Sequence, residues 1–289
     1  MYTDKEKKFL EYCKNIIRLK NSGKITEEQA TYDIVGAEDF NSNSPEINAI
    51  FDATADRIKN GEWQKIIAAV EKAQNRLESL TVSQIYNKYK IPPMLQTHML
   101  RVGAVAELIC DNLTVPVNKK VVVAASLLHD MGNILKFKWG VLPEAHEPEG
   151  LEYWQNVQEE FRQKYGDDEH IATLKIIEEL QTNPVVLELV KSMGFKNACN
   201  YLEQTYEQKI CGYADQRVAP YGVVPMIERF DEGKSRYGRI KSPNPESPRW
   251  IECFKQLEKQ IFEKSSIRPE DISNKTIDPI LEQRLYEVL

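Results

Sequence analysis

The stretch Val121-Val122-Val123-Ala124-Ala125-Ser126-Leu127-Leu128, closed by His129-Asp130, constrains the fold more than any other part of the chain. Three consecutive valines would suit a strand. The run continues without a breaker into small and apolar residues, however, so it reads as a buried helix. A helix that is apolar nearly all round has no face to give to water and belongs at the centre of a domain. Gly132 ends or bends it. The rest of the chain must be laid around this rod.

Almost every other segment also reads as helix. Thr3-x-x-Glu6 opens the first as a capping box, with Phe9, Cys13, Ile16 and Ile17 as its apolar stripe. Thr26 begins a second, and Thr81-x-x-Gln84 caps a later one carrying Val82, Ile85, Tyr86 and Tyr89. Ser44-Pro45, Asn183-Pro184, Ser247-Pro248 and Asp278-Pro279 each read as a cap followed by a proline at the first helical position, where its missing N–H does no harm. Pro92-Pro93 starts a long helix through Ile109, and Ile66, Ile67, Val70 and Leu77 mark another. No convincing strand is present. The expected fold is all-α, with roughly ten or more helices given a mean helix of about 11–12 residues.

Length, composition and charge narrow the function. For 289 residues the prior is about two domains at roughly 150 residues each. With 42% hydrophobic and 28% charged residues the chain has the profile of a folded globular protein. No apolar run reaches the roughly 18 residues of a membrane helix, and the lysine-rich start lacks the apolar segment of a signal peptide. A net charge of −6 argues against broad nucleic-acid or anionic-membrane binding, while leaving room for a local basic pocket. Five scattered cysteines without a CxxC pair fit free thiols in a reducing cytoplasm. The polar, proline-rich stretch 241–248 reads as a linker. The expected organisation is a helical extension, 1–80, docked on a central domain, 81–240, followed by a helical tail, 241–289.

Only four histidines are present, so their placement carries information. Leu95, Val102, Val105 and Ile109 share the helical face of His98, which therefore points into the core. Asp130 stands at the C-terminal end of the most apolar helix, where the helix dipole is negative and burial of a carboxylate is costly, so it calls for a cation beside it. Asp215 is a second carboxylate on an apolar segment, in a helix expected to run to Pro220. His170 opens a helix with the stripe Ile171, Leu174, Ile177 and Leu180. Any one inward histidine is more often a satisfied core residue than a ligand. Inward imidazoles and carboxylates together fit one divalent cation: Mn, Fe, Co, Ni or Zn, with Mg also compatible.

His98, then His129-Asp130 31 residues later, then Asp215 a further 85 on, resembles the H…HD…D signature of the HD superfamily of metal-dependent phosphohydrolases. Leu127-Leu128-His129-Asp130-Met131-Gly132 is similar to that family's LLHDIG core, and Gly212-Tyr213-Ala214-Asp215 resembles the segment bearing its last aspartate. The resemblance covers about residues 81–240. It implies an all-α HD-domain helical core with added N- and C-terminal helices. It further implies one metal held by His98, His129, Asp130 and Asp215, and hydrolysis of a phosphomonoester or phosphodiester, often of a nucleotide. Some relatives hold a second metal through two further histidines. His170 resembles the first of these and His146 lies in a loop, but no second candidate stands in the 184–193 region, so one metal is expected rather than two.

On this reading the metal activates a water, Asp130 orients it, and His170 is the general acid or a ligand to a weak second metal. Arg101, Lys136 and Arg217 are the expected phosphate ligands. The partner is then a small phosphorylated substrate, and the tail reads as either a docking element or the dimer element of a homodimer. A non-catalytic HD module that binds a nucleotide or a partner protein is the alternative. A di-iron oxygenase, as some relatives are, needs two metals, and the histidine count speaks against it.

Overall fold

The computed structural model describes residues 3–36, 42, 44–78, 80–139, 148–238 and 247–285. His146 and most of the 241–248 linker lie outside the described residues. Among the described residues the chain is all-α, interrupted by one hairpin of two-residue strands. No described helix is long and apolar enough to cross a membrane. The chain forms two compact units, 1–79 and 80–289.

The first unit holds four helices: α1 (Asp4–Asn21), α2 (Glu27–Val35), α3 (Pro45–Asn60) and α4 (Trp63–Glu78). Each carries its apolar residues on one stripe, and those stripes close on a small core of Leu10, Cys13, Ile34, Ile50 and Ile66. The caps behave as the sequence dictates. Thr3 and Glu6 form a reciprocal capping box, and Thr26 accepts from the Gln29 N–H, satisfying donors that a helix start otherwise leaves unpaired.

The second unit begins with α5 (Val82–Lys88) and α6 (Pro93–Asp111), followed by the central rod α7 (Lys119–Leu128). Around it stand α8 (Leu151–Tyr165), α9 (Glu169–Glu179), α10 (Pro184–Ser192) and α11 (Tyr206–Asp215). Val121, Val122, Val123, Ala125, Leu127 and Leu128 are all buried, and α7 packs against α6, α10 and α11. Trp154, Phe161 and Tyr165 are core residues, as their helical spacing predicts.

Two boundaries differ from expectation. Helix α11 stops at Asp215 rather than running to Pro220, because Val218 and Ala219 (β1) pair antiparallel with Gly222 and Val223 (β2). This hairpin turns through Pro220 and Tyr221 into Gly222, at φ 148. Farther on, α12 (Met226–Gly238) and α13 (Ser247–Phe262) precede α14 (Asn274–Leu285). Pro279 lies inside α14 instead of opening it. Ser273 takes over as the cap, its hydroxyl accepting from the Thr276 N–H at 3.4 Å.

The C-terminal helices are woven into the second unit. Thr114 N–H donates to Lys264 O at 2.7 Å, and Ser266 N–H donates to Asn112 O at 2.8 Å. The Arg284 guanidinium lies 3.1 Å from Glu107 on α6. Cys199 and Cys253 form a disulfide across 54 residues. That corrects the free-thiol expectation for this pair: α13 packs on the turn that carries Cys199, a proximity that sequence spacing does not reveal. Cys13, Cys110 and Cys211 are free and buried. With one disulfide present, thiol usage no longer argues for a reducing compartment.

Candidate metal centre

The rod α7 ends at Leu128, and His129 occupies its C-cap. His129 Nδ1 is 2.8 Å from Ser126 O. A carbonyl only accepts, so Nδ1 carries the hydrogen and Nε2 faces the site. Nε2 is buried and has no hydrogen-bond partner. A buried polar atom left without a partner calls for an explanation, an ion being one.

The neighbouring side chains supply one. His98, one ring away at 5.3 Å between centroids, projects from the inward face of α6, among buried Leu95, Val102, Val105 and Ile109. Its Nε2 lies 3.2 Å from Asp215 Oδ1 and 3.6 Å from Asp130 Oδ2. His129 Nε2 lies 3.5 Å from Asp215 Oδ1 and 3.6 Å from Asp130 Oδ2. Donors about 2.1 Å from a common ion stand about 3.0–3.4 Å apart at right-angled or tetrahedral positions, so these spacings are close to a ligand cage. His98, His129 and Asp130 offer atoms within 4.8 Å of one another, and among the described residues they form the one group able to hold a metal. Asp215 reaches both imidazoles from the end of α11. The His129 side chain is 3% exposed against 21% for Asp130 and 22% for Asp215, so solvent reaches the centre from the carboxylate side.

The electrostatics agree. Burial opposes a charge on His129, but the carboxylates of Asp130 and Asp215 outweigh it and raise its pKa to about 9. Burial alone would raise Asp215, yet the imidazoles of His129 and His98 beside it hold its carboxyl well below the usual range. Two carboxylates that hold a proton on the His129 imidazole can hold a divalent cation in its place.

Helix α9 is locked to the turn bearing Asp130. Gly132 N–H donates to Thr173 Oγ1 at 2.9 Å. A Cβ on Gly132 would stand 2.3 Å from Glu169 O, so only glycine allows the approach. This seats Glu169 and His170 beside the turn. His170 is partly exposed and is not in the metal-capable group. Lys136 follows on the same side and forms an ion pair with Glu169 at 2.8 Å. The segment between is pinned from behind: the buried Gln158 amide donates to Ile134 O and Phe137 O and accepts from Trp139 Nε1. On α6, Arg101 reaches the hairpin, donating to Pro220 O at 3.3 Å.

Arg217 is not where a phosphate ligand must be. It is 2% exposed, and its guanidinium donates to Val224 O, Tyr213 Oη, Pro269 O and Ile272 O. The expected substrate-binding role of Arg217 is therefore corrected: its donors are consumed in joining α11 and the hairpin to the C-terminal segment. Sequence reasoning missed its neighbour Gln216, whose Nε2 donates to Asp215 Oδ2 at 2.7 Å. The available signal was an amide directly beside a carboxylate in an apolar segment.

Residues 95–216 match the family model of the HD domain. Residues 95–216 are an HD domain, of the HD superfamily. All four side chains of the centre fall within the HD domain, as do Arg101, Lys136 and His170, whereas Arg217 lies one residue beyond it. Searches of curated proteins and of solved structures return no match.

Proposed function

We propose that the HD domain hydrolyses a phosphomonoester or phosphodiester, of a nucleotide by preference, with one divalent transition-metal ion. The observation that carries this reading is the buried, unpartnered His129 Nε2 facing His98, Asp130 and Asp215. His98, His129, Asp130 and Asp215 would hold the ion, which when bound supplies an acidified water and charge neutralisation. Asp130 directs Oδ2 at the imidazoles, and its other oxygen accepts a hydrogen bond from the attacking water and orients it. Arg101 and Lys136 neutralise phosphoryl oxygens, Lys136 by exchanging Glu169 for substrate. His170, on the first turn of α9, donates a proton to the leaving oxygen.

The test is metal content together with a hydrolysis screen of nucleoside monophosphates, cyclic nucleotides and simple phosphodiesters under Mn, Co and Ni. The expected result is about one metal per chain and turnover that disappears in His129→Ala and Asp215→Ala. Metal bound without turnover of any phosphate ester would favour the non-catalytic binding module.

A further inference from the structure

We propose that Gln216 is a positioning residue: it holds Asp215 to ligation through one oxygen and thereby biases the centre toward small transition-metal ions and against calcium. This rests on the reading that the four side chains hold a cation. The two oxygens of Asp215 have separate duties. Oδ1 faces the imidazole nitrogens of His98 and His129, whereas Oδ2 accepts from the Gln216 amide at 2.7 Å. Gln216 caps the end of α11 and is buried, at 6% exposure. A carboxylate that chelates an ion must bring both oxygens to it. The Gln216 amide fixes the carboxylate plane and engages a lone pair of Oδ2.

His129 is fixed in the same manner from behind, by Ser126 O on its Nδ1. Two of the four donors are thus single-atom ligands with prescribed directions. Calcium takes about 6–8 oxygens at about 2.3–2.6 Å, commonly with a chelating carboxylate. Two nitrogens and two single oxygens suit the series from manganese to zinc. The choice of amide matters too. A lysine or arginine at 216 would orient Asp215 equally well, but would offset the negative charge an ion needs. A neutral donor orients it and leaves that charge intact.

Metal-free full-length protein is titrated calorimetrically with Mn²⁺ and with Ca²⁺, as wild type, Gln216→Leu and Asp215→Ala, and each metal-free form is melted. In Gln216→Leu, Mn²⁺ binding is expected to weaken about 10–100-fold, and the preference for Mn²⁺ over Ca²⁺ to shrink. A role confined to packing would lower the melting temperature without moving that preference. Should Gln216→Leu fail to fold, Gln216→Met, similar in length but without a donor, carries the comparison. Unchanged affinity and preference in the Gln216 variant, with binding lost in Asp215→Ala, overturns this inference and leaves the metal centre standing. Wild-type binding in Asp215→Ala overturns the metal-centre reading itself.

Discussion

The two units are built by the same helical devices and put them to different ends. In residues 1–79 every helix keeps one apolar stripe, and charged side chains pair at the rim, as Lys20 and Arg57 do on Glu27, while the buried Glu6 is used up in capping its own helix. In residues 80–289 the central helix is apolar on nearly every side, and ionisable groups stand at its end and against it. An amphipathic helix with charges on its wet face needs no explanation beyond solubility. A histidine and an aspartate closing an all-apolar helix carry a desolvation cost that a core alone does not offset. All four histidines of the chain lie in the second unit. The contrast teaches that a site announces itself by polar residues where the local pattern leaves them no water.

The largest expected effect tests whether the second unit depends on buried polar joints. Arg217→Ala strips donors from Val224 O, Pro269 O and Ile272 O, and at about 1–3 kcal/mol for each carbonyl left unpaired should cost at least about 3 kcal/mol of stability, measured by urea unfolding. A loss under 1 kcal/mol would mean that the C-terminal helices stay docked without it. Gly132→Ala comes next. Its Cβ would meet Glu169 O and Thr173 N at 2.3 and 2.8 Å, and the strain of overpacking is about 1–3 kcal/mol. Metal affinity should fall with it if the seat of α9 shapes the centre. The first unit should show gentler responses. Thr26→Ala removes the cap on the Gln29 N–H and should cost about 1 kcal/mol.

The smallest effect is expected to be no reaction at all, and in this the two units should behave alike. Burial raises the thiol pKa of Cys13 and Cys211 from the ordinary 9.0 to about 12, and raises Cys110 as well. Native protein at pH 8 should therefore take up almost no iodoacetamide, and urea should expose three thiols to it. The same shift has a signed consequence for stability. An unfolded thiol ionises near 9.0 whereas the folded Cys13 and Cys211 wait until about 12, so their contribution is full below 9 and is lost as pH climbs between the two. Mass spectrometry after alkylation reads the first outcome, and unfolding midpoints at pH 8 and pH 10 read the second.

Much of this was legible in the sequence for physical reasons. Capping boxes at Thr3 and Thr81 are satisfied by residues three positions on, so local text suffices to place those helix starts. His98 could be set on an inward face by counting, because α6 is regular throughout. What escaped was decided by distant partners. Pro220 read as a helix stop, yet the stop came earlier, set by pairing of Val218 with Val223. Arg217 read as a phosphate ligand, yet its partners Pro269 and Ile272 lie some fifty residues away. Cys199 finds Cys253 in the same long-range manner. Gln216 sat next to a candidate ligand and still went unread, because an amide gives no charge signal.

The disulfide between Cys199 and Cys253 makes residues 199–253 a covalent ring, and Asp215 lies on that ring. A single backbone cut anywhere inside it, including within 239–246, leaves two fragments joined through sulfur. A nicked chain would therefore migrate as one species on a non-reducing gel and as two after reduction. The HD domain could thus lose peptide continuity with its C-terminal helices and remain tethered to them. Closing so long a loop also removes freedom from the unfolded chain, on the order of 4 kcal/mol in the entropic account. The ligand helix α11 is held inside that ring.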